Sequence, residues 1–166
     1  MELTIRPETG GDVAAIREVE EAAFGQPDEA DLVDRLRDDG EVLLSLVAEV
    51  DGRIEGHILF TRLWIDPGSV PAVALAPLAV SPTWQRRGIG GRLIEAGLEV
   101  LRQQDERIVF VLGHPSYYPR FGFEADKASL LESPFPRESY MALELVPWAL
   151  DGIRGRVRYP AAFGLA

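Results

Sequence analysis

The stretch Leu78-Ala79-Val80-Ser81-Pro82-Thr83-Trp84-Gln85-Arg86-Arg87-Gly88-Ile89-Gly90-Gly91-Arg92-Leu93 carries the end of an apolar run into the start of a helix through closely spaced glycines. Ile89, Leu93, Ile94, Leu98 and Leu101 then recur at helical spacing, with Glu95, Glu99 and Arg102 facing outward. The stretch therefore reads as strand, turn and helix N-terminus. Glycine lets the backbone turn left-handed and lets a ligand approach the main chain. The first amides of a helix have no partner within it and lie at the positive end of its dipole. Together these features make an anion site suited to phosphate. The local charge agrees: no acidic residue occurs from Pro67 to Ile94, while Arg86, Arg87 and Arg92 supply positive charge in a chain of net charge −10. The turn lacks the lysine and Ser/Thr of a P-loop, and it lacks the third glycine of a dinucleotide fingerprint.

Working outward, Val73 to Val80 precedes the turn as a strand and Arg107 to Leu112, almost wholly apolar, follows the helix as a buried one. Strand, helix, buried strand implies a parallel crossover. Upstream, Leu43 to Val50 and Arg53 to Ile65 flank Asp51-Gly52, a two-residue hairpin signal. Asp66-Pro67-Gly68 makes the next turn of an antiparallel meander. Before these lie a short strand, Leu3 to Arg6, a helix from Gly11 to Phe24 opened by Thr9 or Asp12, and a second helix, Asp28 to Asp38, with Asp28 as its cap. A short helix near Ser116 to Arg120 and strands near Tyr140 to Leu145 and Gly152 to Arg158 complete the chain. The order βααβββαβ, with C-terminal strands added, predicts an α/β (α+β) fold on a mixed sheet. Only Ser129 to Ser139 looks like a linker, so residues 1–166 read as a single domain.

Composition narrows the function. The chain has 166 residues, 46% apolar and 27% charged, which suits an ordinary globular core and excludes disorder. Net charge −10 disfavours nucleic acid and anionic membranes as partners. The longest apolar run, Val70 to Val80, is broken by Pro71 and Pro77 and is too short to span a bilayer. The absence of cysteine excludes a thiolate metal site and a cysteine nucleophile, and no other metal set is visible. No secretory signal opens the chain, and a cytoplasmic protein is expected.

Gln85-Arg86-Arg87-Gly88-Ile89-Gly90 resembles the Gln/Arg-x-x-Gly-x-Gly/Ala motif of the GNAT N-acetyltransferase superfamily. The element order is also similar, over about Leu3 to Leu145, and suggests a small bacterial-type member. The resemblance implies an enzyme that moves an acetyl group from acetyl-CoA to a primary amine. The backbone from Arg86 to Gly91 would hold the coenzyme A pyrophosphate, with Gln85 and Arg92 flanking it. It further implies that the strand before the turn splays from its parallel neighbour, so that Leu78, Ala79 and Val80 face pantetheine and an amide near Leu78 or Ala79 polarises the thioester carbonyl. Pro77, which has no amide donor, suits a strand that leaves its neighbour.

Four aromatic residues fall between Gly113 and Phe123. Tyr118-Pro119-Arg120-Phe121-Gly122-Phe123 resembles the family's Tyr-x-Lys/Arg-x-Gly-Phe pattern, in which the tyrosine protonates the departing thiolate. A phenol of pKa about 10 is protonated at neutral pH and can serve so. His114-Pro115 stands where many members carry an asparagine that bonds the pantetheine arm. No carboxylate or histidine lies between Pro67 and Ile94, which leaves His114 and His57 as candidate bases, beside a water relay to backbone carbonyls.

The resemblance implies an acceptor site between Phe24 to Glu29 and Glu124 to Tyr140, where Glu29, Asp31, Glu132 and Glu138 would attract a cationic small-molecule or protein amine. The tail Pro160 to Ala166 is expected to cover a sheet edge or the second subunit of a homodimer. Two rival readings stand beside catalysis. One is a non-enzymatic acyl-CoA sensor, favoured by the missing base and opposed by Tyr118. The other is a nucleotide-binding module, for which no lysine or acidic ribose partner is found.

Overall fold

A computed structural model describes residues 1–165. The elements are β1 (Leu3–Pro7), α1 (Val13–Phe24), α2 (Asp28–Asp38), β2 (Val42–Val50), β3 (Arg53–Asp66), β4 (Val70–Val80), α3 (Ile89–Gln103), β5 (Ile108–Leu112), α4 (Ala125–Ala128), β6 (Tyr140–Glu144) and β7 (Arg156–Arg158). Single 3₁₀ turns occur at Gly10–Asp12, Pro82–Trp84, Tyr118–Phe121 and Ala161–Phe163. The sheet order is β1-β2-β3-β4-β5-β6, with β7 beside β3. β4 and β5 run parallel, whereas the β1–β2, β3–β7 and β5–β6 pairs are antiparallel. This is the expected mixed sheet. Parallel pairing joins Val73–Leu75 to Val109–Val111 and stops there, two residues before Pro77, in accord with the expected splay.

Contacts divide the chain into two compact units, Met1–Phe60 with Pro77–Glu99, and Thr61–Ala76 with Val100–Ala166. In the first unit, neighbouring strand residues point to opposite faces, and β3 shows what each face meets. His57 contacts Glu20 of α1. Gly56 lies under α3, where an added Cβ would come within 3.0–3.2 Å of Leu93, Ile89 and Ala48. So α1 and α3 cover opposite faces. One further turn along α3, a Cβ on Gly97 would meet the Phe60 ring at 2.4 Å. The helix therefore sits close to the strand because at each of these contacts one of the two surfaces is a glycine.

Part of the acid in this unit is paired with arginine. Arg6 on β1 reaches Asp12 at 2.7 Å and Glu49 on β2 at 2.6 Å. The guanidinium and the Thr9 amide hold the Asp12 carboxyl well below the usual carboxylate range. Asp12 and Thr9 form a capping box. Arg17 joins α1 to α2 through Asp31 at 2.7 Å and Asp34 at 2.9 Å. Pro27, not Asp28, occupies the cap position of α2; Asp28, Glu29 and Asp31 lie in its first turn, where the helix dipole favours negative charge.

The second unit has its own core, with Leu63, Ile65, Ile108, Phe110 and Tyr140 buried together. Phe110 stacks on Tyr140 at 5.5 Å, and the Tyr140 and Tyr159 hydroxyls share a hydrogen bond of 2.9 Å. Three differences from expectation appear. Leu112, at the end of the strand expected to be covered on both faces, is exposed. The last strand shrinks to Arg156–Arg158, because Gly155 at φ +130° lies so close to the Asp66 carbonyl that no side chain fits there. The stretch 129–139 is not a free linker: the Glu132 amide donates to Gly155 O at 2.9 Å, and the Val157 amide to Glu132 O at 3.1 Å. Ala166, the end of the expected edge-covering tail, lies outside the described residues. Among the described residues no helix is long and apolar enough to cross a membrane.

Filling the α3 contact should be costly. Gly97→Ala is expected to lower unfolding free energy by about 1–3 kcal/mol, the usual penalty of overpacking. Adding Phe60→Leu should recover part of the loss. Chemical denaturation of the single and double variants checks this, and equal midpoints for Gly97→Ala and wild type would refute the close seating.

Candidate functional site

The glycine turn belongs wholly to the first unit. The Trp84 amide donates to Ser81 O at 2.8 Å, and the Gln85 side-chain amide to Val80 O at 2.9 Å, which ties the turn to the end of β4. Arg86 then takes φ +64°, a sparsely populated conformation for a residue with a side chain, and Gly88 takes φ +85° at no such cost. Two left-handed residues reverse the chain into α3. The first helical bond runs from the Arg92 amide to Gly88 O at 3.0 Å. Gly88 is therefore the cap, and the amides of Ile89, Gly90 and Gly91 have no partner within the helix.

Arg87 stacks over Trp84 at 4.9 Å. Arg86 and Arg92 are exposed and make no ion pair among the described residues. A polyanion at this helix end would meet free amides, the dipole and unpaired guanidiniums, with no carboxylate from Pro67 to Ile94 to oppose it. The residues present thus fit a pyrophosphate. Along β4, Ala79 is buried and Leu78 and Val80 are half-buried.

Tyr118 and His114 belong to the second unit. The Gly113 amide donates to Ser139 O at 2.9 Å, and the His114 carbonyl accepts from the Tyr117 and Tyr118 amides at 3.0 and 3.3 Å. These bonds turn the chain so that the Tyr118 ring lies on Gly113, where an added Cβ would be 2.2 Å from the ring. Phe123 and Tyr117 meet the ring edge-on at 5.8 and 5.2 Å. The ring is buried, and its hydroxyl makes no hydrogen bond among the described residues. Burial, reinforced by Tyr117, pushes its pKa up to about 12, so the phenol stays protonated at neutral pH. The His114 imidazole is exposed and unpartnered.

His57 is placed quite differently. It is fully buried, with Nε2 at 2.9 Å from Ser45 Oγ and Nδ1 at 2.6 Å from Glu20 Oε2. Enclosed in this way, it cannot touch an amine, so of the two candidate histidines only His114 remains accessible. Burial raises the Glu20 carboxyl above its ordinary value, opposed by its bond to His57. Its second oxygen, Oε1, is buried without a partner. The sequence held a signal for this network: Glu20 follows Ile16 by four residues and so shares its face of α1. Of the expected acceptor acids, Asp31 is taken by Arg17 and Glu29 accepts from Gln26 at 3.1 Å. Glu132 and Glu138 are exposed and unpaired among the described residues.

The short parallel pair β4 and β5 is joined by a turn and helix whose first amides stay open, an arrangement suited to an anionic ligand. The chain belongs to the acetyltransferase (GNAT) family, whose sequence profile matches residues 13–123. It is 48% identical over 134 residues to YjhQ of Escherichia coli K12, named an uncharacterized N-acetyltransferase, covering 76% of this chain and 74% of that one. Among solved structures, E. coli YhbS in complex with CoA superposes with a TM-score of 0.93 at 32% identity, covering 99% of this chain and 93% of that one. A GNAT acetyltransferase of Brucella melitensis in complex with acetyl-CoA gives 0.84 at 38% identity, covering 98% of each chain. The protein is thus an enzyme of the N-acetyltransferase class.

The buried network makes its own prediction. A carboxyl whose pKa is higher folded than unfolded binds its proton more tightly in the native state, so its contribution is full below the unfolded value of about 4.5 and declines as pH rises through the folded value. Glu20→Gln should remove that decline, seen as a flatter dependence of unfolding free energy on pH above 4.5. His57→Leu, which strands the carboxyl, should cost about 3–5 kcal/mol. Denaturant titrations at several pH values test both, and an unchanged slope in Glu20→Gln would exclude the carboxyl as the source.

Proposed function

We propose that the protein transfers the acetyl group of acetyl-CoA directly to a primary amine. The observation that carries the reading is the α3 entrance: free amides at Ile89, Gly90 and Gly91 beside unpaired Arg86 and Arg92, in a stretch without acid. The CoA and acetyl-CoA bound to YhbS and to the Brucella protein support the choice of donor. When bound, acetyl-CoA supplies an activated thioester carbonyl. The backbone of Arg86 to Gly91 holds the pyrophosphate, with Gln85 bracing the turn against β4. Leu78 to Val80 present main-chain groups to pantetheine, and an amide at Leu78 or Ala79 stabilises the charge that develops on the thioester oxygen.

The amine nitrogen forms a bond to the acetyl carbon, and the carbon–sulfur bond breaks. The amine loses a proton to His114 or to water, and the departing thiolate takes one from the Tyr118 hydroxyl, which is later restored from solvent. No cysteine exists to carry an acetyl-enzyme intermediate, so transfer is direct.

Calorimetry with acetyl-CoA, followed by thiol release across a panel of amines, tests the reading. Tight binding and amine-dependent release are expected, and failure to bind acetyl-CoA would overturn it. Tyr118→Phe keeps the ring on Gly113 and removes only the hydroxyl. It should lower kcat by about 10²-fold or more while leaving acetyl-CoA affinity near wild type. A kcat near wild type would remove Tyr118 from the proton path.

A further inference from the structure

Three cavities of the described residues differ in what their charges are doing. That beside Ser45 has Arg37 bound to Glu8 at 3.1 Å, and that beside Tyr159, which Arg156 also lines, has Arg158 bound to Asp66 at 2.6 Å and holds no unpaired carboxylate. The third, of about 490 Å³, lies within the second unit and is lined by Arg137, Arg156, Glu132, Leu131, Phe135 and Tyr140 among others. That is a usual size for a small-molecule site. Its other polar groups are already engaged: the Tyr140 hydroxyl with Tyr159, Ser129 Oγ with Asp126 O, and Ser133 Oγ with the Phe135 amide. Arg137, Arg156 and Glu132 are not. Glu132 and Arg156 face each other across an isolated backbone bridge, yet no ion pair forms between them or with Arg137.

The cavity therefore offers an aromatic and aliphatic floor, with two unpaired guanidiniums and one unpaired carboxylate at its exposed rim. The geometry points to a binding site for an amino acid with an aromatic side chain, its carboxylate on Arg137 and Arg156 and its amine toward Glu132. Guanidinium and carboxylate match as paired hydrogen bonds. Phe135 and Tyr140 provide the apolar contact. That the bound amino acid is also the acetyl acceptor rests on the function proposed above, whereas binding itself does not.

Calorimetry on the full chain with L-phenylalanine, 2-phenylethylamine and 3-phenylpropionate separates the charges. Phenylalanine is expected to bind about 10-fold more tightly than either analogue. Arg137→Ala and Arg156→Ala should each weaken phenylalanine about 10-fold and leave 2-phenylethylamine unchanged. Glu132→Gln should weaken phenylalanine and leave 3-phenylpropionate unchanged. Arg154→Ala, outside the cavity, should alter nothing. Equal affinities for the three probes, no binding of any, or indifference to the arginine substitutions would overturn the proposal. Thiol release from acetyl-CoA distinguishes the two readings. Phenylalanine bound with no turnover of any amine defeats the acetyltransferase reading and leaves the cavity standing. Turnover of other amines without phenylalanine binding does the reverse.

Discussion

Two missing side chains decide how closely α3 seats on the sheet. At Gly56 and Gly97 the sheet and α3 approach within a distance that a methyl group would violate. A helix packed by its larger residues alone would ride higher, because interiors are close-packed and transmit added volume as displacement. With α3 held low, its N-terminus is fixed relative to β4, and the turn between them must close over a short span. That constraint accounts for Arg86 and Gly88 in left-handed conformations and for the Gln85 brace on Val80. The open amides of Ile89 to Gly91 are those that any helix N-terminus leaves without a partner.

Most of the architecture was legible because it rests on strong periodicity and on punctuation. The meander, the α3 pattern and the parallel crossover could be read from Asp51-Gly52, Asp66-Pro67-Gly68 and the spacing of Ile89 to Leu101. What escaped was set by contacts between distant residues. α4 has four residues, too few for a period to show. The last strand is shortened by the approach of Gly155 to Asp66, which no local pattern reports. The turn and Tyr118 could be found because each sits in a compact motif. The Ser45–His57–Glu20 network draws one residue from each of three elements, and the Tyr140 cavity depends on a backbone bridge between Glu132 and Arg156.

Charge is partitioned rather than spread. The bulk figure of −10 conceals an acid-free interval around the turn, a set of acids neutralised by Arg6, Arg17 and Arg37, and a few groups left unpaired. Asp31 shows the difference between counting and placing: as a sequence letter it invites a cation, but its carboxylate is already committed to Arg17. Glu132 is the opposite case, an acid that its surroundings leave available.

The contact of Tyr118 with Gly113 binds the two positions into one inheritance. While the ring is needed, position 113 can hold nothing larger than hydrogen, so drift there is closed. In a descendant that dispensed with the hydroxyl and its ring, the space would open and position 113 would be free to acquire a side chain. Among chains built on this scaffold, a side chain at position 113 would thus mark those that no longer carry the tyrosine ring.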